Sequence, residues 1–162
     1  MTNPDAPQDG FSGFDITRLR RIVTGVDDEG CAQVTIEDTC PHSGTNPKFP
    51  GVAGTTIWRE AAEIDFGATG DLVTRYSRVP TGGSQLFLSQ LDPGVYVAPH
   101  VTKTVDHHFV ISGEITCIFK DSEFTARAGD VIIQRGTEHA WENRGTAPFI
   151  SVIFMRSAHD QT

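Results

Sequence analysis

The chain has 162 residues, of which 38% are hydrophobic and 21% charged, and its formal net charge is −8 at neutral pH. This length suits one domain with a buried core, and no apolar run approaches the roughly 18 residues that cross a bilayer. The acidic balance opposes a phosphate backbone, so we expect no nucleic acid and no membrane as partners. The N-terminal residues do not read as a secretory signal, which predicts a cytoplasmic location.

The cysteines support the same compartment. Cys31, Cys40 and Cys117 are an odd number without metal-knuckle spacing, which predicts reduced thiols. A Cys31–Cys40 disulfide is the alternative.

In chain order, short apolar runs rich in Val, Ile, Thr and Phe are separated by Gly, Pro, Asp and Asn, a pattern typical of an all-β sandwich or barrel. We predict four segments: a flexible N-terminal tail at 1–14, a β extension with loops at 15–80, a barrel core at 81–157 and a C-terminal tail at 158–162. The run "RRIVTG" opens the extension, and "FISVIFM" closes the core.

Two stretches of the extension read differently. Residues 59–72, "REAAEIDFGATGDL", favour a helix or an irregular segment because Ala and Glu are interrupted by glycines. The Pro- and Gly-rich stretch 39–54 predicts a long loop on the barrel surface or across its mouth. His42 lies in that loop and is read as an exposed histidine.

Turn signals divide the core into strands. "SGE" at 112–114 and "KDSE" at 120–123 each separate two β-rich runs, so residues 107–127 are predicted to form a three-stranded meander.

Strand alternation sorts the histidines between the two faces of the sheet. Asp106 and His108 share one face of their strand, and His107 points the other way, toward the surface. We predict that this strand pairs antiparallel with the strand that carries His100, through a tight connection at "KTV", residues 103–105. A third strand adds His139, with Trp141 on the same face.

Imidazoles and a carboxylate converging inside a barrel suit a divalent cation with open coordination positions. The candidate ions are zinc, iron, nickel and manganese. The predicted metal ligands are His100, Asp106, His139 and His108.

The spacing of these residues resembles the two motifs of the cupin family. For the pattern G(X)5HXH(X)3-4E(X)6G, the chain offers Gly94, His100, Thr102 in place of the second His, Asp106 in place of Glu, and Gly113. For the second motif it offers Gly129, Arg135 in place of Pro, Gly136, His139 and Asn143, one residue short. "RRIVTG" and "QRGTEHAWEN" are also similar to a bacterial and fungal cupin subgroup whose function is mostly unassigned.

The resemblance implies a cupin barrel, a double-stranded β-helix or jelly roll with an N-terminal β extension. It implies His100, Asp106 and His139 as ligands, with Thr102 too weak to replace an imidazole. His108 is then a fourth ligand, a catalytic acid or base, or a pocket-lining residue, and Asp106 is a ligand or orients a histidine. The predicted catalytic residues are His108 and Asp106. The predicted pocket residues are Tyr96, Thr102, Gln134 and Trp141.

Three functions fit these residues. The first is a metal-dependent enzyme that moves protons on a small organic substrate, as a dehydratase, cyclase, isomerase or decarboxylase does. The second is an Fe(II)-dependent dioxygenase, since two histidines and one carboxylate leave open positions for substrate and oxygen. The third is a non-catalytic cupin that binds a small molecule. The resemblance also implies a homodimer.

Overall fold

The computed structural model describes residues 15–47, 49–65, 70–73 and 78–158. These residues form antiparallel strands and one 3-10 turn, Ile16–Arg18. The strands, in chain order, are β1 (Arg21–Val26), β2 (Ala32–Asp38), β3 (Gly44–Thr45), β4 (Val52–Glu60), β5 (Ser84–Leu91), β6 (Tyr96–His100), β7 (Thr104–Ser112), β8 (Glu114–Ile118), β9 (Glu123–Arg127), β10 (Val131–Arg135), β11 (His139–Glu142) and β12 (Phe149–Ser157). The predicted all-β cupin barrel is confirmed.

Two sheets build the barrel. The larger has the order β10-β7-β12-β5-β4-β3, and the smaller has the order β6-β11-β8-β9. Their inner faces share one core, to which strands of both sheets contribute. That core consists of Leu91, Val110, Ile115, Ala126, Ile132 and Phe149. Burying these side chains against one another holds the sheets face to face.

Several strand pairings differ from the sequence prediction. β6 pairs with β11 and not with β7, so the strand of His100 and the strand of Asp106 lie in opposite sheets. Residues 101–103 therefore carry the chain from one sheet to the other instead of closing a hairpin. The predicted meander is half right: β8 pairs with β9, but β7 pairs with β10 and β12.

Gly113 explains the break between β7 and β8. It has a φ of +72°, and a Cβ at this position would come within 2.5 Å of the backbone oxygen of Pro148. Only glycine adopts this conformation in such a confined place without strain. The chain can therefore change sheets here, where a hairpin was predicted.

Of the two alternatives given for residues 59–72, a helix or an irregular segment, the described part of that stretch shows no helix. β4 runs to Glu60, and residues 61–65 and 70–72 are irregular, while residues 66–69 lie outside the described residues. Residues 59 and 60, the first of this stretch, end β4, and their pairing with β5 outweighs their helix propensity. Among the described residues no helix is long and apolar enough to cross a membrane.

The N-terminal extension forms a separate two-stranded sheet, β1 and β2. A lone hairpin is only marginally stable in water, so contacts with the barrel must hold it. Arg21 supplies one: its side chain donates to the backbone oxygen of Ile57 on β4 at 3.0 Å, and it also binds Asp38 of the hairpin at 2.5 Å and Asp71 at 2.7 Å. Arg21 is only 5% exposed. Hydrogen bonding to Arg21 lowers the pKa of Asp38.

We expect Arg21→Met to lower the free energy of unfolding by about 2 kcal/mol, because it leaves Asp38 and Asp71 without their shared cation. The matched control is Arg20→Met, which removes an exposed ion pair with Glu37 and should cost less than about 1 kcal/mol. Chemical denaturation at neutral pH measures both. Equal costs would contradict the role given to Arg21.

The same pair predicts a pH dependence. The pKa of Asp38 is lower in the folded state than in the unfolded chain, so the pair stabilises the fold above the unfolded value of about 4. This stability is lost as the pH falls through the lowered folded pKa. The difference in stability between the wild type and Arg21→Met should therefore shrink when denaturation is repeated at progressively lower pH.

Candidate functional site

The larger sheet presents two rows of side chains to the barrel interior. Residues directly opposite one another on neighbouring strands share a face of the sheet. The first row, across β5, β12, β7 and β10, is Gln85, Met155, Asp106 and Gln134. The second row, across the same strands, is Phe87, Ile153, His108 and Ile132. A mainly polar row thus borders a mainly apolar row.

The smaller sheet supplies the facing wall. His100 on β6 lies opposite His139 on β11, and their ring centroids are 4.4 Å apart. The Trp141 ring lies 5.1 Å from His139 and 5.2 Å from His108. Trp141 therefore links the histidine pair of one sheet to the histidine of the other.

The two sheets enclose a cavity of about 270 Å³. Its lining residues are Gln85, Phe87, His100, Thr102, Asp106, His108, His139, Trp141, Ile153 and Met155. The volume lies at the low end for a small-molecule site. The missing side chain at Gly54 leaves room for the Phe87 ring in the cavity wall, since a Cβ at Gly54 would collide with that ring.

The paired histidines are held by their Nδ1 atoms. His100 Nδ1 donates to the backbone oxygen of Ala98 at 2.9 Å, and His139 Nδ1 donates to the backbone oxygen of Thr137 at 2.8 Å. The side-chain amide of Gln134 donates to the same Thr137 oxygen at 3.0 Å. Each ring consequently keeps Nε2 for a further contact, which is the usual arrangement of a metal-binding histidine.

Three deeply buried polar atoms of the lining have no hydrogen-bond partner in the protein: Gln85 Oε1, Asp106 Oδ1 and His108 Nε2. Their residues are 6%, 3% and 7% exposed. The other carboxylate oxygen of Asp106 accepts from the Thr102 hydroxyl at 3.1 Å. Buried polar groups are nearly always paired, so three unpaired atoms around one cavity point to a ligand.

Burial favours the neutral form of two lining histidines, His108 and His139. Burial, the largest cause, together with the neighbouring His139 and His107, lowers the pKa of His108 to about 4. Burial also lowers the pKa of His139, together with His100, while Thr137 and Asp106 act in the opposite direction. Neutral imidazole is the form that binds a metal or exchanges hydrogen bonds with an uncharged substrate.

The side chains around the cavity are of the types that bind divalent cations. Their positions, however, do not form a complete set of ligands. His100 and His139 offer oriented imidazoles, and Asp106 Oδ1 is an unpaired buried oxygen. Among the described residues, however, no three His, Cys, Asp or Glu side chains are arranged to hold one ion. A cation here would therefore rest on the histidine pair, with further ligands recruited from Asp106, His108 or water.

Two of the predicted pocket residues lie elsewhere. Tyr96 is 51% exposed and does not line the cavity; its neighbour Val97 packs against the core instead, and the pairing of β11 with β6 is irregular between Val97 and His100. Gln134 also does not line it; its side chain turns to Thr137 and His139. His42 stands in a turn and is likewise not among the lining residues.

The sequence reasoning missed Gln85, Ile153 and Met155 as lining residues. Alternation alone gives each strand two faces and does not say which face is inward. The signal lies in the register, since β12 pairs Ile153 with His108 and Met155 with Asp106. Once those partners face inward, their neighbours on β12 and β5 must do so too.

Part of the barrel core matches a known family of domains, and most of the chain is similar to known proteins. A family model described as "Cupin domain" matches residues 87–154. The chain is 29% identical over 147 residues to the phomopsin biosynthesis cluster protein C' of Diaporthe leptostromiformis, covering 83% of this chain and 76% of that protein. It is 26% identical over 153 residues to the cupin-domain-containing oxidoreductase fogC of Aspergillus ruber (strain CBS 135680), covering 90% and 75%.

Among solved structures, the cupin domain of Schizosaccharomyces pombe Cnp3 aligns with a TM-score of 0.55 at 9% identity. The alignment covers 86% of this chain and 88% of that one. This likeness shows a shared fold and does not extend to chemistry.

Proposed function

This chain belongs to the cupin superfamily, and from that premise we propose that it is an enzyme that moves a proton on a small organic molecule held in the cavity. The observation that carries the proposal is the pair of unpartnered atoms Asp106 Oδ1 and His108 Nε2 in one cavity. The phomopsin relative is named as a protein of a biosynthesis cluster. This name supports a small-molecule substrate.

The two residues take different roles. Asp106 Oδ1 accepts a proton from the substrate and returns it to another substrate atom, as isomerases and dehydratases require. His108, neutral because of its burial, holds the substrate's oxygen through an Nε2–H hydrogen bond and stabilises the charge that develops there. Thr102 positions the carboxylate through its hydrogen bond to Oδ2.

We also propose that His100 and His139 bind a divalent cation. A bound cation would polarise a carbonyl or carboxylate oxygen of the substrate. Because only the histidine pair is oriented in advance, the affinity should be modest. The donor pair does not by itself select among zinc, iron, nickel and manganese. The supply of these metals in the cell also decides which ion is bound.

Metal analysis by mass spectrometry tests this proposal on protein purified without added metal. His100→Ala and His139→Ala should each lose the bound ion, while His107→Ala should keep it, since His107 does not line the cavity. Thr102→His should retain the ion against a chelator concentration that strips the wild type, because it adds an imidazole to the cavity. Unchanged metal content in both alanine variants of the pair would overturn the assignment.

Solvent deuterium exchange beside the carbonyl of a β-diketone panel, followed by NMR, tests the proton transfer. Asp106→Asn should slow exchange by at least about 100-fold because the amide cannot accept the proton. His108→Phe should also slow it, whereas His108→Gln, which keeps an N–H donor, should slow it less. Phe124→Ala, on β9 and outside the cavity lining, is the control at the wild-type rate.

Metal content measured on the same samples separates the roles. Loss of metal from Asp106→Asn or His108→Phe identifies a ligand, and slow exchange with full metal identifies a group that acts on the substrate. Equal exchange rates in wild type and Asp106→Asn would contradict the proposed base.

An Fe(II)-dependent dioxygenase is the second candidate, favoured by the similarity to fogC, which is named as an oxidoreductase. The lining also contains two histidines and one carboxylate, the donor types of non-haem iron oxygenases. Oxygen consumption by the iron-loaded protein with phenols or β-diketones would support this reading. Exchange without oxygen consumption would support proton transfer.

We propose a homodimer in the cytoplasm, without nucleic acid or membrane as partner. The outer face of the larger sheet carries apolar rows on β10, β7 and β12: Val131, Phe109, Val152, Ile133, His107 and Phe154. Arg135 and Arg156 stand at one end of these rows. The β1–β2 hairpin exposes Ile22, Val26 and Val34, and its tip carries the acidic residues Asp28 and Glu29.

The exposed apolar residues of the hairpin can pack against the apolar rows of a second copy. The acidic tip of the hairpin can then face the two arginines at the end of those rows. Sedimentation analysis should show a dimer, and Ile133→Lys or Val26→Lys should convert it to a monomer. Phe124→Lys is the matched control, since Phe124 is an exposed apolar residue on β9 of the other sheet. Dimers in both lysine variants of the proposed interface would contradict the arrangement.

A further inference from the structure

Gln85 gives the cavity a second acceptor that the proposed chemistry does not use. Its Oε1 atom has no partner in the protein, and the residue is 6% exposed. It stands in the same row as Asp106, with Met155 between them on β12. Neighbouring strands lie about 4.8 Å apart, so the two backbones are separated by about 10 Å.

The chemistry of the two acceptors restricts the ligand. An amide oxygen and a carboxylate oxygen accept hydrogen bonds, and a buried acceptor left unpaired costs about 1–3 kcal/mol. A ligand that relieves both must carry two donors on different atoms. Either hydroxyl or amino groups satisfy this requirement.

The remaining lining decides between those donors. Phe87, Trp141, Ile153 and Met155 surround the acceptors with hydrocarbon, which penalises a cationic ammonium group. Neutral hydroxyl groups donate without this penalty. The volume of about 270 Å³ limits the body to a molecule of about one ring.

We propose that the cavity selects a small, uncharged molecule with two hydroxyl groups, one donating to Gln85 Oε1 and one to Asp106 Oδ1, with its ring or hydrocarbon body against Phe87 and Trp141. Gln85 is then a specificity-determining residue. The proposal rests on the proposed function in placing the ligand beside Asp106.

The test measures binding of resorcinol, which has two hydroxyl groups on one ring, and of 1,3-dimethoxybenzene, which has the same ring without donors. Trp141 reports binding by fluorescence in a Trp58→Phe background, since the chain has only two tryptophans. Resorcinol should bind at least about tenfold more tightly than the dimethoxy compound. Benzylamine, a cationic donor, should bind more weakly than resorcinol.

Gln85→Met removes the acceptor at similar size and should weaken resorcinol about tenfold while leaving dimethoxybenzene unchanged. Gln85→Glu keeps an acceptor and should retain resorcinol binding. Gln90→Met is the matched control on β5, since Gln90 bonds to Asp92 and does not line the cavity. Thermal unfolding of each variant confirms that it is folded before binding is compared.

Equal binding of the two ring compounds, preference for benzylamine, or unchanged resorcinol affinity in Gln85→Met would each overturn the proposal. These outcomes are separate from failure of the proposed function, because binding needs no turnover. Diol selectivity without deuterium exchange would leave this inference standing and remove the proton transfer. Deuterium exchange without diol selectivity would remove this inference and leave the proton transfer standing.

Discussion

The register of β7 between β10 and β12 is the constraint on which the site depends. It places Asp106 and His108 inward and Val105, His107 and Phe109 outward. A slip of one residue would exchange the two sets, burying Phe109 and exposing the carboxylate. Since Val110 belongs to the shared core on the same face as His108, apolar packing and site geometry fix the same register.

This register explains why the cavity forms where two sheets meet. β7 supplies acceptors from the larger sheet, and β6 and β11 supply imidazoles from the smaller one. Neither sheet alone would surround a ligand. The chain crosses between the sheets at residues 101–103, immediately after His100, so the two walls are tied together next to the site. Thr102, within that crossing, bonds to Asp106 and joins them.

Local patterns predicted much of this arrangement. The all-β class followed from short β-rich runs, and alternation correctly separated His107 from Asp106 and His108. The partners of each strand were harder, because β6 and β7 are close in sequence and end in different sheets. Gln85 was not predicted to line the cavity, because "SQLFLSQ" has polar residues on both faces of its strand. Only the pairing of β5 with β12 shows which face is inward.

The distribution of unpaired polar atoms bears on function more directly than the number of histidines. Among the described residues, unpaired buried atoms also occur on Arg59, Thr104 and Ser151, outside the cavity lining. Arg59 makes other hydrogen bonds through its guanidinium, and none of these three residues borders the cavity. Gln85, Asp106 and His108 instead line the same cavity. Their combined cost opposes folding, and a ligand that pairs with them recovers it as binding energy.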